Sequence, residues 1–518
     1  MRSIRVLRNV VTNYLRFAIA GVIGFVITPV MVHLLGDGDY GLWVTVFSLT
    51  GYFGLVDQGI RPSLVRYVSQ HRAASDDQGL SRTINSAIAL YTSVGVLVAI
   101  ASIVLAANFA VWFKVAPEQV ESARTTVLLA GLSLALGFPL GVFGAALSGL
   151  QRYDIANGLG IAIGILRGIA FVAVLRTGGG IVGLAWASLG ANLLGHLLSW
   201  YWARRLMPTV RFGPRFVTGE HLRRIGSYSG IAFIGALANS LAFQTDALVI
   251  TAFLGAALVT PFALAAGLVE QARSLVYSAT FVLSPTASEM HTLGESDQLG
   301  AMLIAGTKYS VLLSWPVLMA LVVFGGNLIE TWIGPAYASA ATLLTILALP
   351  TFIALPQSTA SSVLYGISRH RGAVVLSLAG ALANLGLSIW WVRPFGLTGV
   401  AMGTAVPLVL IGGVATGVFV CRVMGLSLRR YTWEGMVRPG FATLAFLAPA
   451  LVVQALWRPI GWLPLGLTVA GCWLPFAACA WRFSLSAEER ARWVHLVPRL
   501  LDGAAPTPAP IPSSGGRP

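Results

Sequence analysis

The chain has 518 residues, 56% of them hydrophobic and only 10% charged, with 34 Lys+Arg against 19 Asp+Glu and a formal net charge of +15. Soluble domains carry about 25% charged residues, so this composition excludes a string of water-soluble domains. Nucleic-acid binders gather Lys and Arg on a soluble face; here the basic residues punctuate long apolar runs, the pattern of a polytopic membrane protein.

A membrane span needs roughly 20 mainly apolar residues. In chain order such runs fall near 10–35, 41–67, 83–110, 123–150, 155–176, 181–203, 226–254, 258–286, 302–326, 339–367, 371–391, 397–421, 437–456 and 461–482, fourteen in all. The first follows Arg2, Arg5 and Arg8 but is far longer than a signal-peptide core of about 7–15 residues, so it reads as an uncleaved span. The runs 10–35, 41–67 and 258–286 carry internal charge. The expected fold is all-α, with a six-span lobe over 1–205, a basic linker at 206–225, a second six-span lobe over 226–425, a two-span hairpin over 426–485 and a polar, disordered tail over 486–518.

The charges test this map. With the N-terminus placed in the cytoplasm, 25 of the 34 basic residues fall at cytoplasmic ends or segments, as the positive-inside bias requires, and both termini lie inside. The densest cluster, Arg204, Arg205, Arg211, Arg215, Arg223 and Arg224, reads as a topology signal. Cys421, Cys472 and Cys479 form no CxxC pair and the seven histidines show no ligand spacing, so no metal or other cofactor is expected. No P-loop, GxSxG turn or pair of catalytic carboxylates occurs, which points away from an ATPase, hydrolase or glycosyltransferase.

The chain also repeats itself. GLVDQ at 54–58 returns as GLVEQ at 267–271, each followed by an arginine, Arg61 and Arg273. Leu35-Gly36 parallels Leu254-Gly255, and Gly149-Leu150-Gln151-Arg152 parallels Gly366-Ile367-Ser368-Arg369. Gly180, Gly183, Ala185 and Ser188 parallel Gly396, Gly399, Ala401 and Thr404. Six spans per copy give both copies the same orientation, so the two lobes should be related by an axis along the membrane normal, with substrate at their interface.

With LLGDGDYGLW at 34–43 and YFGLVDQGIRPSLVRY at 52–67, the chain resembles the bacterial polysaccharide-transporter family. DALVI at 246–250 and PFALA at 261–265 in the second copy extend the likeness. These are the oligosaccharide flippases of a superfamily that also holds multidrug extruders and the lipid II flippase. The resemblance implies a non-enzymatic flippase of the bacterial inner membrane, moving a polyprenyl-pyrophosphate-linked glycan for O-antigen, capsule or exopolysaccharide synthesis. It implies alternating access, coupling to H⁺ or Na⁺, and a polymerase and glycosyltransferases as partners. Pro261-Phe262 stands where the first copy has Tyr40-Gly41, so the lobes are not identical at that corner. A lipid II flippase, a multidrug/cation antiporter, and a polymerase or ligase acting on lipid-linked sugars are the alternatives.

Ionisable groups within spans face a cavity or a partner, because exposing them to lipid costs about 2.5–3.5 kcal/mol each on the insertion scale. Asp57 and Arg61 lie four apart on one helical face, and Glu270 and Arg273 three apart. Arg16, Arg61 and Arg273 are placed to form a cationic mouth for a pyrophosphate, since a guanidinium is a planar fork of donors. The alternative is that these arginines snorkel or pair with the neighbouring acids. Pro62 should kink the helix beside the first pair. Arg167 stands among Gly160, Gly164 and Gly168, a face suited to close helix packing, and is a candidate for the sugar cavity. Asp246 is the candidate ion-coupling acid, or else a partner of Gln244, Thr245 or Asn239. Asn85, Asn384, Tyr277, Trp390 and similar side chains are available to sugar, with nothing in their spacing to choose among them.

Overall fold

A computed structural model describes residues 2–280 and 282–491, which are almost entirely helical, with no strand among them. In hydrocarbon every backbone N–H and C=O must be satisfied within its own segment, and a helix does this. The helices of the first half are α1 (Arg2–Ala73), α2 (Asp77–Trp112), α3 (Val120–Gly149), α4 (Tyr153–Arg176) and α5 (Gly180–Leu206). The second half has α6 (Gly219–Phe253), α7 (Val259–Thr280), α8 (Leu283–Thr292), α9 (Ser296–Trp332), α10 (Ala340–Ala354) and α11 (Gln357–Gly366), then α12 (His370–Met424). A pair, α13 (Leu428–Leu456) and α14 (Trp462–Ser484), follows.

Among the described residues nine helices are long and apolar enough to cross a membrane, or ten if the pair α10–α11, bent by 46°, is one span. The difference from fourteen lies partly in continuity. The runs at 10–35 and 41–67 form one helical stretch kinked at Gly36 (φ 75°), and α12 is likewise kinked at Gly396 (φ 57°). Both positions have left-handed φ, which glycine adopts without a Cβ penalty. The expected run 258–286 is divided between α7 and α8. At Pro62, where a kink was expected, φ and ψ stay helical, and the one non-helical residue in α1 is Gly36.

Buried clusters fill the interior of each half, one set including Leu42, Phe109, Phe171 and Leu184, another Ile250, Phe262, Leu318 and Leu344. α2 presents Val96, Leu97, Ile100, Ile103 and Val111 outward, the arrangement of a lipid-facing helix. α13 and α14 pack on α9 through Phe324, Phe446, Leu465 and Phe476.

The basic linker is narrower than expected and is docked. α6 already begins at Gly219, and residues 207–218 lie along the start of α2. Asn85 Nδ2 donates to the Arg211 carbonyl (2.8 Å), Gly213 N–H donates to Asn85 Oδ1 (3.0 Å) and Thr218 N–H donates to Ser86 Oγ (3.1 Å). Asn85 is therefore a clamp for the linker, not a sugar contact. The polar segment expected to be disordered from residue 486 is structured to residue 491. There Lys308 and Tyr309 of α9 hold Glu489, whose Oε2 accepts from Ser486 N–H. Residues 492–518, including the Pro/Ser/Gly tail, lie outside the described residues.

Candidate functional site

The two expected acid–arginine pairs form. Asp57 Oδ2 and Arg61 Nη1 are 3.5 Å apart on α1, and Glu270 Oε2 and Arg273 Nη1 are 3.2 Å apart on α7. Their settings differ. The side chains of Arg61 and Asp57 are 44% and 36% exposed, whereas Arg273 is 8% exposed and its acid Glu270 is 54% exposed. The first pair thus offers its cation to the surface, and the second offers its carboxylate. Arg273 also donates to Tyr277 Oη (3.4 Å), with its guanidinium 5.6 Å from the Tyr277 ring.

Sequence spacing did not reveal what surrounds the first pair. Tyr91 of α2 is buried and donates to Asp57 Oδ1 at 2.7 Å. Arg61 and His196 of α5 both lie against the Gly137, Gly141 and Gly144 face of α3. Their only prior signal was that each is a polar group inside an apolar run.

Arg16 is exposed, and its Nη1 donates to Asn157 Oδ1 of α4 at 3.5 Å. The glycines of α4 do permit close packing: Gly160 faces Arg16, Gly164 faces Ile23 and Gly168 faces Ile27, all on α1. Arg167 itself is exposed and has no ion pair among the described residues. Arg16, Arg61 and Arg273 are thus anchored on α4, on the Asp57–Tyr91 pair and on Glu270–Tyr277 respectively.

Asp246 is 4% exposed and lies where α6 meets α12. Thr404 Oγ1 donates to its Oδ2 at 2.8 Å, Asn384 Nδ2 donates to Thr404 Oγ1 at 3.1 Å, and Ser388 Oγ donates to Asn384 Oδ1 at 3.4 Å. Asp246 Oδ1 is buried with no hydrogen-bond partner among the described residues. The structure therefore replaces the local alternatives with residues about 140–160 positions away; Thr245 instead pairs with Tyr52 (2.6 Å), and the Asn239 side chain lies outside those described. An orphaned carboxylate oxygen, at the end of a chain of three polar side chains that reaches the other oxygen through Thr404, suits a small hard cation or a proton.

At the Gly36 end the two halves are tied together. Tyr337 Oη donates to Asp37 Oδ1 (2.5 Å), Thr260 Oγ1 donates to the Asp37 carbonyl (2.7 Å), and Trp332 Nε1 donates to the Phe25 carbonyl (2.8 Å). The Phe25 and Trp332 rings stack with centroids 4.6 Å apart. Thr45 and Thr251 share a hydrogen bond of 2.6 Å, and a Cβ at Gly41 would collide with the Ala256 carbonyl. The Tyr337 phenol is raised by burial, then by its hydrogen bond to Asp37 and the charge there, so it remains a donor at neutral pH.

A family model described as "Polysaccharide biosynthesis protein" matches residues 6–291. Among curated proteins, the chain is 22% identical over 485 residues to "Uncharacterized membrane protein EpsK" of Bacillus subtilis, covering 90% of this chain and 94% of that one. It is 18% identical over 415 residues to the "Putative O-antigen transporter" of Shigella flexneri, covering 78% and 95%. Among solved structures, an inward-facing MATE-family multidrug transporter of the MOP superfamily aligns with a TM-score of 0.70 at 15% identity over 80% of this chain and 98% of that one. The lipid II flippase MurJ, inward closed, aligns with a TM-score of 0.68 at 13% identity over 90% and 98%. The fold is accordingly the MATE/MurJ fold, and the chain belongs to the polysaccharide biosynthesis protein family.

Proposed function

We propose that the protein is a flippase that moves polyprenyl-pyrophosphate-linked oligosaccharide units across the bacterial inner membrane, for O-antigen, capsule or exopolysaccharide synthesis. The observation that carries the reading is the acid–arginine pair repeated on α1 and α7, with Arg61 and Glu270 exposed below the tied Gly36 end. An anionic headgroup entering there displaces Asp57 or Glu270 from its arginine and takes over a bidentate guanidinium contact. Arg16, also exposed, extends the cationic path toward α4, and Arg167 stands near the sugar. A cation-binding drug site would call for acids without these arginines. The family's description and the name of the Shigella relative support the glycan over a peptidoglycan precursor.

The same reading takes the chain as fourteen spans in two parallel lobes, with the linker end and both termini in the cytoplasm. Positive φ recurs at Gly36 and Gly255, Ser75 and Gly294, Gln151 and Ser368, and Gly180 and Gly396, each pair 216–219 residues apart, which supports a duplicated architecture. Alternating access then consists of opening the Gly36 end while the linker end closes. Asp246 holds the coupling ion, H⁺ or Na⁺, and binding there biases α6 against α12. A polymerase and glycosyltransferases would act on either side of the step. Deletion of the protein tests the reading: lipid-linked repeat units should accumulate in the cytoplasmic leaflet, and accumulation in the outer leaflet would assign the chain to a later step.

A further inference from the structure

Arg61 is not the only basic group on its side of α3. The α3 residues Gly137, Gly141 and Gly144 form one helical face beside Pro139, and their missing side chains make room for two basic groups. A Cβ at Gly137 would lie 3.2 Å from His196 Nε2, and one at Gly144 would lie 3.8 Å from Arg61 Nη2. Arg61 shares this glycine face with His196 and brings its partner Asp57 with it. Of the elements packed around His196, α1 brings those two, α2 brings Tyr91 bonded to Asp57, and α3 brings the glycine face, with Ser133 bonded to Asn192 one turn away. α4 brings Ile163 against the adjoining Gly195, with Arg167 one turn further on. The imidazole is half-buried and has no hydrogen-bond partner among the described residues.

We propose that His196 is the proton-sensitive second arm of the Arg61 anion site, adding a positive charge that strengthens the hold on a pyrophosphate group. The inference rests on the flippase reading. An arriving pyrophosphate pairs with Arg61 and adds negative charge beside the ring, so ligand binding and proton uptake reinforce each other by the same factor. A headgroup would be gripped with a proton and released when that proton leaves.

The test uses the purified full chain and a short polyprenyl pyrophosphate capped with one N-acetylglucosamine, whose phosphates are both esterified and keep a fixed charge. Wild type should bind it about fivefold or more tightly at about pH 5.5 than at about pH 8, and calorimetry in buffers of different ionisation enthalpy should show proton uptake. His196→Gln should keep the high-pH affinity and lose the pH slope, and His196→Arg should bind tightly at both. An unchanged slope in His196→Gln, or binding by wild type without proton uptake, overturns the role of His196. The uptake measurement needs no variant to fold. If wild type binds without a pH slope but Arg61→Ala weakens binding, only this inference fails. If wild type does not bind the probe at either pH, the flippase reading fails with it.

Discussion

Thr404 donates a 2.8 Å hydrogen bond to Asp246, joining α6 to α12 at a carboxylate whose second oxygen is buried and has no partner among the described residues. An acid left in this state attracts a cation or a proton, since a buried unpaired carboxylate is costly. Asp246→Asn should therefore abolish the dependence of glycan transport on ΔpH or Na⁺ in proteoliposomes. Thr404→Val, which removes one oxygen and leaves the acid, should weaken that dependence by about tenfold or more, in proportion to one lost hydrogen bond to a charged group. Retained coupling in Asp246→Asn would place the ion elsewhere.

The exposed arginine of the first pair should matter more than the buried arginine of the second. Arg61→Ala should lower polysaccharide export by at least about tenfold, the scale of one charge-assisted contact. Arg61→Ala with Arg273→Ala should abolish export. Surface polysaccharide measured alongside membrane abundance checks this, and normal export in the double variant would reject the phosphate role.

The contacts around Asp37 hold the Gly36 end together. Tyr337→Phe with Thr260→Val removes two of them and should shift the population toward opening at that end. The measurement is the rate at which a cysteine placed at Thr45, buried and bonded to Thr251 in this state, reacts with a membrane-impermeant thiol reagent added from the Gly36 side. The rate should rise several-fold, and an unchanged rate would mean that these bonds do not limit opening.

Asp76 caps α2 outside the membrane, its Oδ1 accepting from Gly79 N–H at 2.8 Å and its Oδ2 facing His71 Nδ1 at 2.9 Å. The backbone bond to Gly79 is the main cause that lowers its carboxyl below the ordinary range, working against a small burial cost, with His71 and Arg82 adding to it. A carboxylate lowered on folding contributes stability above its unfolded value, and that contribution is lost as pH falls through the folded one. Asp76→Ala should thus lower the thermal midpoint at neutral pH, by a cap's worth of about 1 kcal/mol. Below the folded value the gap to wild type should narrow, as differential scanning in detergent would show.

The linker makes a similar case from neutral groups. Asn85 satisfies two backbone groups of residues 211–213 in one stroke. Asn85→Ala leaves the Arg211 carbonyl and Gly213 N–H to water, and should increase proteolytic cleavage within 207–218 while leaving the core melting transition nearly unchanged. Equal cleavage rates would show that the linker is held by other contacts.

The acid–arginine pairs were legible in the sequence because partners three or four residues apart on a helix are neighbours whatever the rest of the fold does. The packing of the α4 glycines could be read for the same reason. Asp246 stood out as a buried acid, yet its true partners did not, although Thr404 already marked the repeat as the counterpart of Ser188. Asn85 could not be told apart from the side chains available to sugar, because an amide in an apolar run has the same signature whether it meets a ligand or a loop.

The sequence by itself determined the class of molecule. Its scarcity of charge demands lipid, and lipid demands backbone bonds closed within each helix. It also singled out the arginines inside apolar runs, which are too costly to stand there without a partner or a ligand. Tertiary structure alone decided which groups stand around those arginines. Tyr91 meets Asp57 from 34 residues away, and Thr404 meets Asp246 from 158. Helical periodicity carries information over a few turns; contacts between helices depend on how whole faces pack, and only the folded bundle sets them.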